Sequence, residues 1–256
     1  MKPSERMSAR QRVKYETRQH YSAEHVRYYQ RRMYASSHMR HYLQARNSAL
    51  SEFLTECRER KGERLRILEV GCGPGLSLSD LGRDSGQQLV GIDYSLEMLR
   101  LARENTAELT PRPSVLRASA FQLPFGDETF DFVYATRFIH MFRDKKPVLD
   151  ELRRVTHRNG LLVVEFYRRP YHVIRWLAGR HPVALSSFLY HYPRLAEVNA
   201  LMGTPVRIRP LRFGGERLLR LVFEEAIVRR ILERCWTTPL RLAIDEYLVA
   251  IPGKLR

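Results

Sequence analysis

The sequence predicts an α/β fold, a doubly wound and mostly parallel sheet preceded by a helical extension, on three observations. Short apolar runs of strand length alternate with segments of helical spacing between residues 65 and 166. A glycine-rich turn separates the first run from the helix behind it, and the sixty residues ahead of that run carry helical spacing without a strand signal. Taken in order, polar and aromatic residues alternate from Tyr15 to Tyr42, then Ala49, Leu50, Phe53 and Leu54 recur near a 3.6 period until Gly62 ends the stretch. Strands are expected at Leu65–Val70, Gln88–Ile92, Val115–Ala118, Phe130–Ala135 and Leu161–Phe166, each apolar and short. Helices are expected at Leu76–Leu81, Leu96–Leu109 and Val148–Val155, where Leu149, Leu152 and Val155 share a face. Right-handed crossovers would place those helices on both faces of a parallel sheet. The chain reads as a helical extension over residues 1–60 and one α/β domain over 61–256, with no internal repeat.

Composition bounds the rest. At 256 residues, 44% hydrophobic and 28% charged, the chain carries enough apolar side chains for a sizeable core and is not of the disordered class. No apolar run approaches the roughly 20 residues of a membrane span, and the Arg-rich beginning lacks a signal-sequence core, so a soluble, cytoplasmic protein is expected. Cys57, Cys72 and Cys235 are too few and too scattered for a disulfide framework or a zinc cluster, and no metal is expected. The net charge of +16 is uneven: +9 over residues 1–66, −2 over 67–166 and +9 over 167–256. Basic flanks of this size attract polyanions, nucleic acid or an anionic membrane surface. With Arg supplying 38 of the 44 cations, compositional bias of the coding sequence accounts for the same excess.

The chemistry concentrates in Glu69-Val70-Gly71-Cys72-Gly73-Pro74-Gly75, a turn between strand and helix whose glycines let a ligand approach the backbone. Twenty residues after Gly73, the second strand ends at Asp93 in Gly91-Ile92-Asp93-Tyr94-Ser95. A carboxylate at the carboxyl edge of the neighbouring strand is placed to accept hydrogen bonds from a ribose diol. The dinucleotide fingerprint G-x-G-x-x-G would need glycine at position 76, where Leu76 stands. Glu69 beside the loop is awkward for a pyrophosphate and suits a ligand bearing an ammonium group and a sulfonium. S-adenosylmethionine carries both, although an ordinary paired carboxylate would look the same at position 69.

With these residues the sequence resembles the class I S-adenosylmethionine-dependent methyltransferases, in particular the small-molecule branch that includes the ubiquinone and menaquinone C-methyltransferases. Leu68–Gly75 is similar to the family's first motif, and Gly91–Leu99 to its second strand and helix. Leu123–Val133 looks like its approach to the fourth strand, and Glu151–Val155 followed by Asn159–Val163 like its next helix and fifth strand. The likeness covers roughly residues 64–167. It implies a Rossmann-like seven-stranded sheet and S-adenosyl-L-methionine as cofactor, held by Glu69, Gly71, Cys72, Gly73, Gly75, Asp93, Tyr94, Met98 and Thr136, with Ser119, Ala120 and Phe121 around the adenine. Ser119 stands where the family often has an acid for the adenine amino group, and a hydroxyl accepts that bond more weakly. The resemblance also implies that residues 1–60 act as a lid, with tyrosines at 15, 21, 28, 29, 34 and 42. An acceptor cap would then lie within 168–225, where Tyr171, Trp176 and Phe188 are prominent.

His140 follows the fourth strand and would stand at the carboxyl edge, either taking a proton from an acceptor hydroxyl or serving as a helix-start or core residue. Asp131 is expected to brace a strand rather than catalyse. The sequence therefore leads to methyl transfer onto an O, N or C atom of a small, aromatic or lipid-like molecule. The alternative is an RNA methyltransferase using its basic flanks, weakened because Ala135-Thr136-Arg137-Phe138 stands where an Asn-Pro-Pro-Tyr-type motif would be. A retained scaffold without activity is a third reading. The acceptor, the catalytic base and the oligomeric state are not specified by these residues.

Overall fold

The structure is a computed structural model that describes residue 26 and residues 37–62, 64–83, 87–142, 144–167, 195–203, 207–213 and 244–252. A long helix, α1 (Ser37–Lys61), leads into strand β1 (Arg66–Val70), helix α2 (Leu76–Gly82), β2 (Gln88–Asp93), α3 (Leu96–Asn105), β3 (Ser114–Arg117) and β4 (Phe130–Ala135). A short 3₁₀ turn (Ile139–Met141) then precedes α4 (Lys146–Val155), β5 (Thr156–Tyr167), α5 (Leu195–Met202), β6 (Arg207–Phe213) and β7 (Ile244–Pro252).

The strands form one seven-stranded sheet in the order β3-β2-β1-β4-β5-β7-β6. β1 pairs in parallel with both β2 and β4, and β4 with β5, whereas β7 runs antiparallel to β5 and β6. The expected doubly wound, mostly parallel sheet is therefore present. Alternation along each strand sorts the core onto two faces. Ile67, Leu89, Phe132, Tyr134 and Val163 pack under Leu50 and Leu54 of α1, Leu78 of α2 and Leu99 of α3. Leu68, Val70, Val133, Leu162 and Val164 pack under Leu149 and Leu152 of α4 and Val198 of α5.

Helix α1 buries Tyr42, Ala49, Leu50, Phe53, Leu54 and Cys57 along one stripe, and Gly62 ends it in the left-handed conformation (φ 99), donating to the Arg58 carbonyl at 2.8 Å. Both ends of the helix are tied to the sheet. At the amino edge the Asp131 carboxylate accepts the Arg66 N–H at 3.0 Å and pairs with Lys61 at 2.8 Å, which is the bracing role expected of it. At the carboxyl edge the Tyr42 hydroxyl donates to Glu165.

Boundaries depart from expectation in two places. α3 stops at Asn105 rather than Leu109, because Thr106 turns its hydroxyl onto the Ala102 carbonyl at 2.7 Å and the chain leaves in a turn. β5 begins at Thr156, five residues before Leu161, since the polar stretch His157–Gly160 is carried as a bulge between Phe130↔Thr156 and Phe132↔Leu161. Glycine is required there: a Cβ on Gly160 would lie 2.5 Å from the Asp131 carbonyl oxygen. Among the described residues no helix is long and apolar enough to cross a membrane. The expected tyrosines at 15, 21, 28, 29 and 34, Cys235, and residues 168–194, 204–206 and 214–225 of the expected cap lie outside the described residues. Of the rest of that span, α5 packs on α4 and β6 is an edge strand.

Candidate active site

Strand order reverses at β1, which has β2 on one side and β4 on the other, and in open parallel sheets ligands bind where the order reverses, beyond the carboxyl ends of the strands. The glycine turn emerges there. Gly71, Gly73 and Gly75 all have left-handed φ, at 75, 52 and 76. The turn is held by the Gly71 and Cys72 N–H groups, which donate to the Ile92 carbonyl at 2.8 and 2.9 Å, and by Gly75 N–H donating to Cys72 O at 2.9 Å.

Asp93 ends β2 with both carboxylate oxygens engaged by backbone. Gly73 N–H donates to Oδ2 at 3.0 Å and Ser95 N–H to Oδ1 at 2.8 Å. Burial raises its pKa against these stabilising bonds. Ser95 in turn caps α3, accepting from Met98 N–H at 3.3 Å, so Asp93, Ser95 and Met98 form one capped turn. Where a Cβ on Gly73 would stand, nothing lies within 4 Å. An open backbone cradle beside an acid with spare lone pairs fits a nucleoside with a sugar diol.

Along the adenine side of the expected site, Tyr94 carries the Arg117 guanidinium 5.1 Å above its ring, and Met98 is buried. Ser119 Oγ already accepts the Phe121 N–H at 3.3 Å, leaving one lone pair and its proton for a ligand. Ala120 is buried, and Phe121 meets Phe142 edge-on at 5.3 Å. Phe142 meets Phe138 edge-on at 4.9 Å, and the Phe138 ring lies against Gly71, where a Cβ would come within 2.2 Å of it. The aromatic row therefore runs from the expected adenine pocket to the first glycine of the turn.

Glu69 is turned onto the α1 face of the sheet and is 2% exposed. Its carboxylate accepts the Tyr134 hydroxyl at 3.1 Å. Burial pushes its pKa up to about 8, with the Arg46 charge and the Tyr134 bond opposing the shift. Arg46, from α1, is itself buried and donates to Ser77 of α2 and to Asn47. Cys72 is buried, and burial pushes its thiol well above the ordinary range, so it has no nucleophilic character. Thr136 is buried at the end of β4. His140 lies in the 3₁₀ turn beyond it, buried at 9% exposure, with its ring edge-on to Tyr167 at 4.7 Å.

The structure thus brings Gly71, Gly73, Gly75, Asp93, Tyr94 and Met98 together around the turn, and places Glu69 behind it rather than free in the crevice. Sequence reading did not single out Arg46, Phe138 or Glu165. The signals were present: Arg46 lies one helical turn from Tyr42 on the same stripe, and Glu165 interrupts an otherwise apolar strand. Among the described residues no group of three His, Cys, Asp or Glu side chains could hold a metal ion.

Residues 68–164 match a family model described as a methyltransferase domain. Over 101 residues the chain is 39% identical to a phosphatidylethanolamine N-methyltransferase of Cereibacter sphaeroides, covering 39% of this chain and 49% of that protein. Over 105 residues it is 32% identical to a demethylmenaquinone methyltransferase of Renibacterium salmoninarum, covering 41% of this chain and 42% of the relative. The chain spans about half the length of the curated relatives it matches, or less. Among solved structures, phosphoethanolamine N-methyltransferase 2 of Haemonchus contortus in complex with S-adenosyl-L-methionine superposes with a TM-score of 0.52 at 15% identity. That likeness covers 78% of this chain and 51% of that one, and at such identity it speaks for the fold. Sheet order, the glycine turn with its strand-end acid and the family match agree, and over residues 68–164 the chain is similar to methyltransferase domains of the class I, S-adenosylmethionine-dependent type.

Proposed function

We propose that the protein is an S-adenosylmethionine-dependent methyltransferase acting on an O, N or C atom of a small, aromatic or lipid-like molecule. The observation that carries this reading is the Asp93 carboxylate fastened to the Gly73 N–H at the point where strand order reverses, beside an open backbone cradle. When bound, S-adenosylmethionine supplies a methyl carbon that passes to the acceptor's electron pair while the carbon–sulfur bond returns its electrons to sulfur.

The chain's own work is to bind, orient and exclude water. Asp93 receives the ribose hydroxyls on its remaining lone pairs. Gly71, Gly73 and Gly75 admit close backbone approach, with Cys72 and Thr136 lining the turn. Tyr94, Met98, Ala120 and Phe121 flank the adenine, and Ser119 meets its edge. Glu69 acts through its field from behind the turn, favouring a cationic sulfur when ionised. His140 holds the proton of an acceptor that must be deprotonated. Of residues 1–60, the part ahead of α1 serves as a lid, α1 itself being packed into the core, and part of 168–225 serves as an acceptor cap. The relatives named above act on a lipid headgroup amine and on a quinone, which supports a small or lipid-like acceptor. A cytoplasmic location with peripheral contact between the basic flanks and an anionic surface agrees with the charge distribution.

Calorimetry of wild type and Asp93→Ala with S-adenosylmethionine tests the reading. Binding by wild type that the variant loses supports it, and absence of wild-type binding rejects it. Labelled cofactor incubated with the protein and a metabolite extract then identifies the acceptor through the labelled product.

A further inference from the structure

Past the end of β4 the backbone does something costly. Arg137 has φ 51, in the left-handed region that side chains with a Cβ avoid, and non-glycine residues held there are sustained by their surroundings. The surrounding group is Glu165. It stands within β5 among fully buried neighbours, at 0% exposure, and its Oε2 accepts the Arg137 N–H at 3.1 Å. Its other oxygen accepts the Tyr42 hydroxyl from α1. The Tyr42 ring carries two guanidinium groups, Arg46 at 5.9 Å and Arg137 at 5.7 Å from its centroid, so the buried carboxylate sits beside compensating cations. The strained residue is followed at once by Phe138, whose ring covers Gly71, and then by His140.

We propose that Glu165 is a positioning residue: by fastening the left-handed Arg137 turn to the sheet and to α1, it sets the Phe138 ring against the glycine turn and so shapes the sulfur end of the cofactor site. The proposal rests on the methyltransferase reading of that site. A carboxylate suits the task because both of its partners are donors, one on each oxygen. Glutamine could keep both bonds, accepting the Arg137 N–H and donating to the Tyr42 hydroxyl oxygen, whereas methionine keeps the length of the side chain and removes both acceptors. Glycine at position 137 adopts the same φ without strain and removes the need for the fastening.

The test uses the full chain with S-adenosylmethionine and S-adenosylhomocysteine as calorimetric probes, together with hydrogen exchange over residues 136–142 in the ligand-free protein. Glu165→Met is expected to weaken S-adenosylmethionine binding about tenfold, the consequence of releasing one strained residue, and to speed exchange across 136–142. Adding Arg137→Gly to Glu165→Met is expected to restore affinity to within about threefold, although glycine cannot restore the Tyr42 bond. Tyr42→Phe, which leaves the Arg137 bond in place, is expected to speed exchange in α1 more than in 136–142. Unchanged exchange over 136–142 in Glu165→Met overturns the proposal, since that measurement needs no ligand. Loss of affinity that Arg137→Gly does not recover, with lowered thermal midpoints in both variants, reduces Glu165 to a packing role and also overturns it. Failure of the wild type to bind either probe rejects the methyltransferase reading instead, and the exchange result still decides whether Glu165 holds the turn.

Discussion

The Asp93 carboxylate and the Gly73 amide are joined at 3.0 Å, so the acid at the end of β2 and the turn at the end of β1 are one rigid unit before any ligand arrives. Asp93→Ala therefore removes two things together, the sugar-binding oxygens and a fastening of the loop. Hydrogen bonds to a charged group contribute about 1.5–3 kcal/mol each, so affinity for S-adenosylmethionine is expected to fall at least roughly a hundredfold. Asp93→Asn keeps one acceptor oxygen and should fall between the two in the same calorimetric titration.

Gly71 and Phe138 are coupled by contact. Gly71→Ala places a methyl group 2.2 Å from a ring carbon at a residue with φ 75, and both effects destabilise. The conformational part alone amounts to about 1–2 kcal/mol. In a double-mutant cycle read by urea unfolding, Phe138→Ala is expected to cost at least about 1 kcal/mol less in the Gly71→Ala background than in wild type. Additive costs would show that the ring moves away freely.

Glu69 gives stability a pH dependence of defined sign. Its pKa is 4.5 when unperturbed and is pushed up to about 8 in the fold, chiefly by burial. Between those values the folded state keeps a proton that the unfolded chain has lost, so this group's contribution falls as pH rises through the window and is constant below it. The slope is at most about 1.4 kcal/mol per pH unit, and Asp93, also raised, adds in the same direction. Denaturation midpoints at pH 5 and pH 8 should converge in Glu69→Gln; an unchanged gap would assign the dependence elsewhere. Because a sulfonium favours the ionised carboxylate, the preference for S-adenosylmethionine over S-adenosylhomocysteine, which lacks the sulfonium charge, should grow across the same range.

His140→Asn separates binding from transfer. The ring packs on Tyr167, so S-adenosylmethionine affinity is expected to stay within about threefold. Label transfer to the acceptor should drop by about 10²–10⁴ if the acceptor needs deprotonation. Retained transfer would leave the imidazole a packing role.

The sheet's parallel core was legible because each strand is a short apolar run and the turn between β1 and α2 carries its own glycine signature. The boundaries that moved did so for local reasons that periodicity does not record. Thr106 capped its own helix, and the polar His157–Gly160 stretch was carried as a bulge inside β5. In the site, Gly73 and Asp93 were readable since spacing alone places them on adjacent strand ends. Arg46, Glu165 and Phe138 were not, because their roles depend on the start of α1 reaching the carboxyl edge and on a backbone conformation at Arg137 that no residue type announces. The basic flanks also read differently in three dimensions. Arg207 and Arg209 of β6 pair with Glu56 and Glu52 of α1, so the two basic flanks are joined to each other by ion pairs while their net charge is unchanged.

The antiparallel β7 has a consequence for biosynthesis. It is synthesised after β6 yet fills the gap between β5 and β6, pairing Leu161–Tyr167 on one side and Arg207–Phe213 on the other. Until residue 252 has left the ribosome, the nascent β5 exposes an unsatisfied edge to other chains. Translational pausing or premature termination upstream of residue 244 should therefore yield aggregates rather than a smaller folded product.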